Sequence, residues 1–289
     1  MTEKLVPSDE SLLLKVRQGV DLLPEAYRSL LVPPESIAFK RFPALTRLFG
    51  GFRPREFTIL CGSTGAGKTT LLSQLSADLI TQKIPQLVLS VETGPVDYLK
   101  RVMCVLSNLN VNTGRIFSDQ VVSVVSSKVN QTIASGEFHL ALYENRVPIE
   151  ELVGLIRLMH AKHGIKVVMV DNLNFFMEVT RSQDTIVEMD RVVHELILLC
   201  KQIDVHIVMV CHPRKTENTR ILNEFDIKGS ATAVQEAHNV LLFNRPDPDS
   251  MSDRTDREIL LAKCRRFGMN TGVTLRLKQK CEGTIYEEY

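Results

Sequence analysis

The chain has almost no charge excess: 35 Lys and Arg against 34 Asp and Glu leave a net +1 over 289 residues. No global field draws it to nucleic acid, so any such binding has to come from a local patch or from an assembly that concentrates one face. Paired thiol motifs are lacking as well. The six cysteines, at positions 61, 104, 200, 211, 264 and 281, form no C-x-x-C, and Cys61, Cys200, Cys211 and Cys264 sit in apolar runs as small core residues do. That pattern argues for a reducing compartment and against a zinc site. No run reaches the ~18 apolar residues of a membrane helix. The N-terminus MTEKLVPSDE has an early acid and neither an apolar signal core nor an Arg/Ser-rich run. The expectation is a targeting sequence that is absent or already removed. Internal repeats and low-complexity stretches are missing too. What remains, 44% hydrophobic and 24% charged residues, suits one large globular domain with short extensions.

The most informative stretch is Phe57–Thr70, FTILCGSTGAGKTT. A strand-forming run enters Gly62-Ser63-Thr64-Gly65-Ala66-Gly67-Lys68-Thr69, and a helical pattern begins at Thr70. This is the strand–GxxxxGK[ST]–helix order of a phosphate-binding P-loop. Glycines let the backbone N–H groups close on an anion, and the helix N-terminus adds donors and the positive end of its dipole. Lys68 supplies a mobile cation for the β- and γ-phosphates and Thr69 a hydroxyl ligand for Mg²⁺. The pattern predicts binding of a nucleoside triphosphate, ATP with Mg²⁺.

Around it, apolar strands alternate with helices. Strands are expected at Gln86–Glu92, Phe138–Tyr143, Ile165–Asp171, Val205–His212, Asn239–Asn244, Arg257–Arg265 and Val273–Gln279, the last of these closing the list. Helices are expected within 95–134 and at Ile149–His160, Thr185–Lys201 and Ala231–His238. Such alternation indicates an α/β fold with a mainly parallel sheet covered on both faces, whose ligands sit beyond the carboxyl ends of the strands. Residues 1–40 read as a helical lead-in, interrupted at Pro24, with an apolar stripe of Leu12, Leu13, Val16, Val20 and Leu23. That stripe packs either on its own domain or on a neighbouring subunit. Residues 41–289 form the nucleotide-binding domain.

Glu92, Asp171 and His212 all stand at carboxyl strand ends. Asp171, after Val167-Val168-Met169-Val170, has the pattern of a Walker B carboxylate suited to Mg²⁺, and a helix N-cap is its other reading. Glu92 is placed to activate water, and His212 to sense a γ-phosphate. Lys263 and Arg265 alternate to one side of a strand and could act on a phosphate in their own chain or in a neighbour's. The stretch 213–228 holds four cations, Arg214, Lys215, Arg220 and Lys228, but also three acids, so charge alone makes a weak case for nucleic acid.

These residues resemble a known family. The run RFPALTRLFGGFRPREFTILCGSTGAGKTT, with VDNLNFFM (170–177), VMVCHPRK (208–215) and GSATAVQEAHNVLLF (229–243), is similar to the helicase core of Twinkle-type mitochondrial replicative DNA helicases. Those group with phage helicase-primases and bacterial DnaB-type helicases. The resemblance covers roughly 40–275. It implies a RecA-like P-loop ATPase core in a homo-oligomeric ring, usually a hexamer, that moves 5′ to 3′ on single-stranded or forked DNA in mitochondrial replication. A replication polymerase and a single-strand-binding protein are implied partners, and the mitochondrial nucleoid the implied location. By the same resemblance Glu92 is the catalytic base, and His212 and Gln235 couple the γ-phosphate to DNA loops. Lys263 and Arg265 reach the neighbour's site, and Arg214, Lys215, Lys228, Gly229 and Ser230 contact DNA. The lead-in helix latches onto the next subunit. Two departures stand out: an extra Arg266 follows Arg265, with Arg265 favoured as the finger on its K-x-R spacing, and Thr232 replaces a basic residue. No primase-like domain is present in these 289 residues, so primer synthesis is not expected. Rival readings are a RecA-like recombinase or switch-type ATPase, and a regulatory paralogue that caps another ring without unwinding.

Overall fold

The computed structural model describes residues 16–32, 35–112, 115–143, 147–172, 184–213, 222–223, 226–227, 231–245, 256–266, 268–280 and 284–289, the side chains of 184–186 and 231–232 aside. The chain divides into two compact units, Met1–Glu35 and Ser36–Tyr289.

In the first unit a helix, α1 (Gly19–Leu31), has no buried residue. Pro24 lies inside α1 rather than breaking it, a correction to the sequence reading. As the sixth residue of α1 it lies past the four N–H groups that lack an intrahelical partner, so it forgoes the one bond its own N–H would have made to the Val20 carbonyl.

The second unit is built on one sheet. Among the described residues its strands are β1 (Phe57–Gly62), β2 (Gln86–Ser90), β3 (Phe138–Ala141), β4 (Val167–Asp171), β5 (His206–Cys211), β6 (Asn239–Asn244), β7 (Asp256–Cys264), β8 (Thr274–Lys280) and β9 (Ile285–Glu288). Their order is β3-β2-β4-β5-β1-β6-β7-β8-β9. Strands β1 to β6 pair in parallel, and β7, β8 and β9 extend the sheet antiparallel. The helices are α2 (Pro43–Phe49), α3 (Lys68–Thr81), α4 (Pro95–Ser107), α5 (Asp119–Ala134), α6 (Ile149–His163), α7 (Asp184–Gln202) and α8 (Ala231–Glu236).

The central strands are buried throughout, so their residues alternate between two apolar layers rather than between core and water. Phe57, Ile59 and Cys61 face the layer under α6 and α7, while Leu60 joins Leu71, Leu72 and Val102 from α3 and α4. Each such fully buried Leu contributes about 2 kcal/mol. Strand β9 is an addition to the sequence reading. It is only four residues long, and its Ile285 and Tyr286 are buried side by side instead of alternating with polar residues. Its Glu288 carboxylate accepts from the N–H groups of Ala44 and Leu45, both at 2.7 Å, and so caps α2.

The core of this unit starts ahead of residue 41. Ile37 pairs with Phe52, and Phe39 packs on Phe49 and Phe52 with ring centroids 5.9 and 4.7 Å away. Below the P-loop strand, His206 is fully enclosed: it contacts the Arg53 carbonyl through Nδ1 at 2.8 Å and Thr58 Oγ1 through Nε2 at 2.9 Å. Asn239 Nδ2 also donates to Thr58 Oγ1 at 3.3 Å, and the Arg53 backbone N–H faces the same His206 Nδ1 at 3.2 Å. Burial pushes this imidazole down to about 4.

Candidate nucleotide site

Parallel pairing brings the carboxyl ends of β1, β2, β4 and β5 to one edge of the sheet. The loop after β1 turns with Gly65 at φ 75° and Gly67 at φ 102°, left-handed conformations that favour glycine. Gly67 is doubly constrained, because a Cβ there would lie 1.9 Å from the Tyr286 hydroxyl. Gly62 has a similar limit: its Cβ would meet the Phe243 carbonyl at 2.6 Å. The loop hands the chain to α3, whose N-terminal amides point into a cleft of about 290 Å³.

Lys68 folds back over the loop. Its Nζ donates to the carbonyls of Gly62 at 2.6 Å and Ser63 at 2.9 Å. Burial pushes its ammonium below the ordinary lysine value. Ser63 also accepts from Ala66 N–H at 3.1 Å, which closes the turn. Thr69 donates to Asp171 Oδ2 at 2.8 Å. Burial raises the Asp171 carboxyl above 3.8, with the Thr69 hydrogen bond opposing it. A hydroxyl and a nearly enclosed carboxylate, side by side next to a lysine, are hard oxygen donors that suit Mg²⁺. The capping role considered for Asp171 falls outside the described residues, which end at Asn172 here.

Glu92 and His212 meet through Asn172, a residue to which the sequence reading gave no part in the chemistry. Asn172 Nδ2 donates to Glu92 Oε2 at 2.9 Å and to His212 Nε2 at 3.1 Å. His212 Nδ1 then faces Thr64 Oγ1 at 3.5 Å. The Glu92 and His212 side chains are 3.8 Å apart, with the carboxylate half-exposed. A hydrogen-bonded chain thus runs from the P-loop through His212 and Asn172 to Glu92.

The other wall comes from strands on the far side of β1. Arg257 on β7 donates from Nε to the Ala66 carbonyl at 2.8 Å and from Nη2 to Gln279 on β8 at 3.4 Å. Burial lowers its pKa from the usual arginine value. Tyr286 on β9 packs on the loop, and its backbone exchanges hydrogen bonds with Gln74 of α3 at 2.7 and 3.0 Å. Arg101 of α4 reaches Thr70 Oγ1 at 3.4 Å. Arg101, Arg257, Gln279 and Tyr286 all line the cleft and were missed from sequence. No spacing links them to the P-loop; the order of β7, β8 and β9 brings Arg257, Gln279 and Tyr286 there, and α4 brings Arg101.

Lys263 and Arg265 are elsewhere. Cys264 pairs with Asn239, at the amino end of β6, so this segment lies at the end of the sheet opposite the P-loop. As the alternation predicts, both cations turn the same way: Lys263 Nζ donates to the carbonyls of Val234 and Gln235 at 2.8 and 2.6 Å, and Arg265 Nη2 to those of Gln235 and Glu236 at 2.7 and 3.0 Å. They neutralise the C-terminal end of α8. A role on a phosphate within their own chain is excluded by this placement. Gln235 is exposed there too, and the structure does not bring it to His212. Arg214, Lys215, Lys228, Gly229 and Ser230 lie outside the described residues.

The family model described as "DnaB-like helicase C terminal domain" matches residues 39–283. The chain belongs to this family. Membership makes it the C-terminal ATPase domain of a DnaB-like helicase, and the α/β sheet order above is the RecA-like core of such domains. Among solved structures it is similar to one described as an "ATPase Domain", with 16% identity over 94% of this chain and 100% of that one, at a TM-score of 0.79. It is also similar to "The Structure Of A DnaB-Like Replicative Helicase And Its Interactions With Primase", again with 16% identity, over 96% of this chain and 70% of that one, at 0.78. At such identities the likeness is one of fold. The DnaB-like family works on ATP with Mg²⁺.

Proposed function

We propose that the chain is the motor of a ring-forming DNA helicase of the Twinkle type, translocating 5′ to 3′ on single-stranded DNA during mitochondrial replication. The observation that carries this reading is the hydrogen-bonded chain Thr64–His212–Asn172–Glu92 beside the Thr69–Asp171 pair. It links a γ-phosphate sensor to a carboxylate able to orient water. A switch-type ATPase would share the P-loop, but the family match over 39–283 favours the helicase.

In this reading Gly62, Ser63, Thr64, Gly65, Ala66, Gly67, Lys68, Thr69 and Thr70 cradle the phosphates. Thr69 and Asp171 hold Mg²⁺, which when bound offsets phosphate charge. Lys68 leaves its two loop carbonyls for the phosphate oxygens. Glu92 takes the proton of the attacking water, with Asn172 holding its Oε2 in place. Loss of the γ-phosphate changes what His212 faces, and β5 carries that change into the segment of Arg214 and Lys215, which with Lys228, Gly229 and Ser230 grips DNA. Gln235 would join that coupling only by a shift of α8, since it stands apart from His212. Lys263 and Arg265 act on the neighbour's nucleotide; their distance from their own P-loop supports a role in trans. Six copies in a ring would line one channel, and avidity would offset the chain's near-zero net charge. The lead-in ends at Glu35, since Phe39 belongs to the ATPase core, and the exposed Val20, Leu23, Leu30 and Leu31 of α1 suit docking on the next subunit. A replication polymerase, a single-strand-binding protein or a primase would meet such a ring at the fork.

The test mixes two inactive variants. Arg265→Ala subunits keep an intact P-loop, and Lys68→Ala subunits keep the finger, so mixed rings should regain turnover at hybrid interfaces. No regain would remove Arg265 from the neighbour's site. Direction is read on duplexes with a single 5′ or 3′ tail, and unwinding from the 3′ tail alone would overturn the stated polarity.

A further inference from the structure

We infer that Glu137, His139 and His163 form a binding site for a divalent transition metal of the zinc class, at the end of the sheet opposite the nucleotide. Strand β3 is one of the two edge strands of the sheet among the described residues. Glu137 precedes it, His139 is its second residue, and His163 is the last residue of α6. The parallel β3-β2-β4 arrangement returns the C-terminal end of α6 to the start of β3, so residues far apart in sequence meet there.

One ligand atom from each residue lies within 4.8 Å of the other two. His139 Nε2 is 3.4 Å from Glu137 Oε2, and His163 Nδ1 is 4.0 Å from the same oxygen. In a tetrahedral site with bonds of about 2.1 Å, neighbouring ligand atoms stand about 3.4 Å apart. One edge of the tetrahedron is therefore already at its metal-bound length. The others need closure by side chains that are free to move, since Glu137 is 59% and His163 40% exposed.

A second observation points at the same spot. His139 Nε2 is shielded from water and has no hydrogen-bond partner. A buried nitrogen of this kind costs free energy unless something occupies it. The two imidazole rings stand 4.4 Å apart with planes inclined at 51°, so they are not simply stacked. Two imidazoles and one carboxylate select Zn²⁺, Ni²⁺ or Cu²⁺ over Mg²⁺ or Ca²⁺. Three protein ligands leave one position for water. The metal would tie the sheet's edge strand to α6. Cysteine spacing carried no trace of this site because it contains no cysteine.

The experiment is equilibrium dialysis of the metal-stripped full chain against Zn²⁺, with Co²⁺ absorption as a report on ligand geometry. The wild type should take up one equivalent with micromolar affinity or better and show a tetrahedral Co²⁺ spectrum. His163→Gln and Glu137→Gln, both at exposed positions, should each weaken that uptake at least about tenfold. Thermal melting should rise by about 5 °C with Zn²⁺ at a hundredfold excess over Kd, and this shift should vanish in His163→Gln. No uptake below roughly 100 µM Zn²⁺, or uptake that both variants retain in full, would overturn the site.

Discussion

Gly67 shows how narrowly a single residue can be constrained. Any side chain there meets two penalties: a backbone at φ 102° and the Tyr286 hydroxyl 1.9 Å from the new Cβ. Gly67→Ala should lower stability by about 2 kcal/mol or more and abolish nucleotide binding. Urea denaturation and nucleotide titration read the two effects separately, and an Ala variant with wild-type stability would contradict the packing described. Asp171 gives the opposite trade. Its folded pKa is raised by burial above 3.8, so between those values the folded state holds more protons than the unfolded state. Stability therefore falls as pH rises through that window and stays lowered at neutral pH. Asp171→Asn should melt above the wild type at pH 7 in the absence of nucleotide and lose hydrolysis, with the gap closing below pH 3.8. A lower melting point at pH 7 would argue that the carboxylate is a structural asset. At this scale the sequence is readable where chemistry dictates residue type. Lys68, Thr69, Glu92, Asp171 and His212 all line one cleft. The bridging role of Asn172 escaped notice because it exists only once β2, β4 and β5 bring Glu92 and His212 to either side of it.

Elements were legible in proportion to their regularity. The buried parallel strands announce themselves as apolar runs, and α3 follows from the P-loop. The α1 proline and β9 were misread or missed for a shared reason: local propensity says little where position within the element or tertiary packing decides. Strand β9 is short, half acidic, and held by β8, by Gln74 and by the N-terminus of α2. That last contact is testable on its own. Glu288→Ala removes both carboxylate bonds to α2 and should cost about 1 to 2 kcal/mol. Glu288→Gln keeps one acceptor and should recover part of that loss. If urea midpoints of both variants match the wild type, β9 does not secure α2. Because Tyr286 touches the P-loop, loosening β9 should also weaken nucleotide affinity, whereas a cap acting on α2 alone would leave it unchanged.

For the whole molecule, the sheet separates two chemistries. Its carboxyl edge gathers the P-loop with Glu92, Asp171 and His212 on one side of β1 and Arg257, Gln279 and Tyr286 on the other. Its opposite end carries Lys263 and Arg265, at the end of β7 and hydrogen-bonded to the last carbonyls of α8, and the Glu137–His139–His163 cluster at the β3 edge. In the proposed reading, such a chain holds a nucleotide site open to completion from outside and, at its far end, the cations that would complete another. That division was only half visible in sequence: the K-x-R spacing indicated that Lys263 and Arg265 act together, while the antiparallel turn of β7 away from the P-loop decides where. Nearly neutral overall charge fits a protein whose DNA contact is concentrated by assembly rather than spread over its surface.

The most direct measurement is the ATP turnover rate with and without single-stranded DNA, on protein sized by light scattering in Mg²⁺-nucleotide. A ring whose turnover rises several-fold with DNA, and falls to background in Lys68→Ala, is the predicted result. A monomer, or a ring whose turnover is indifferent to DNA, would contradict the helicase reading and leave a switch-type or regulatory ATPase in its place.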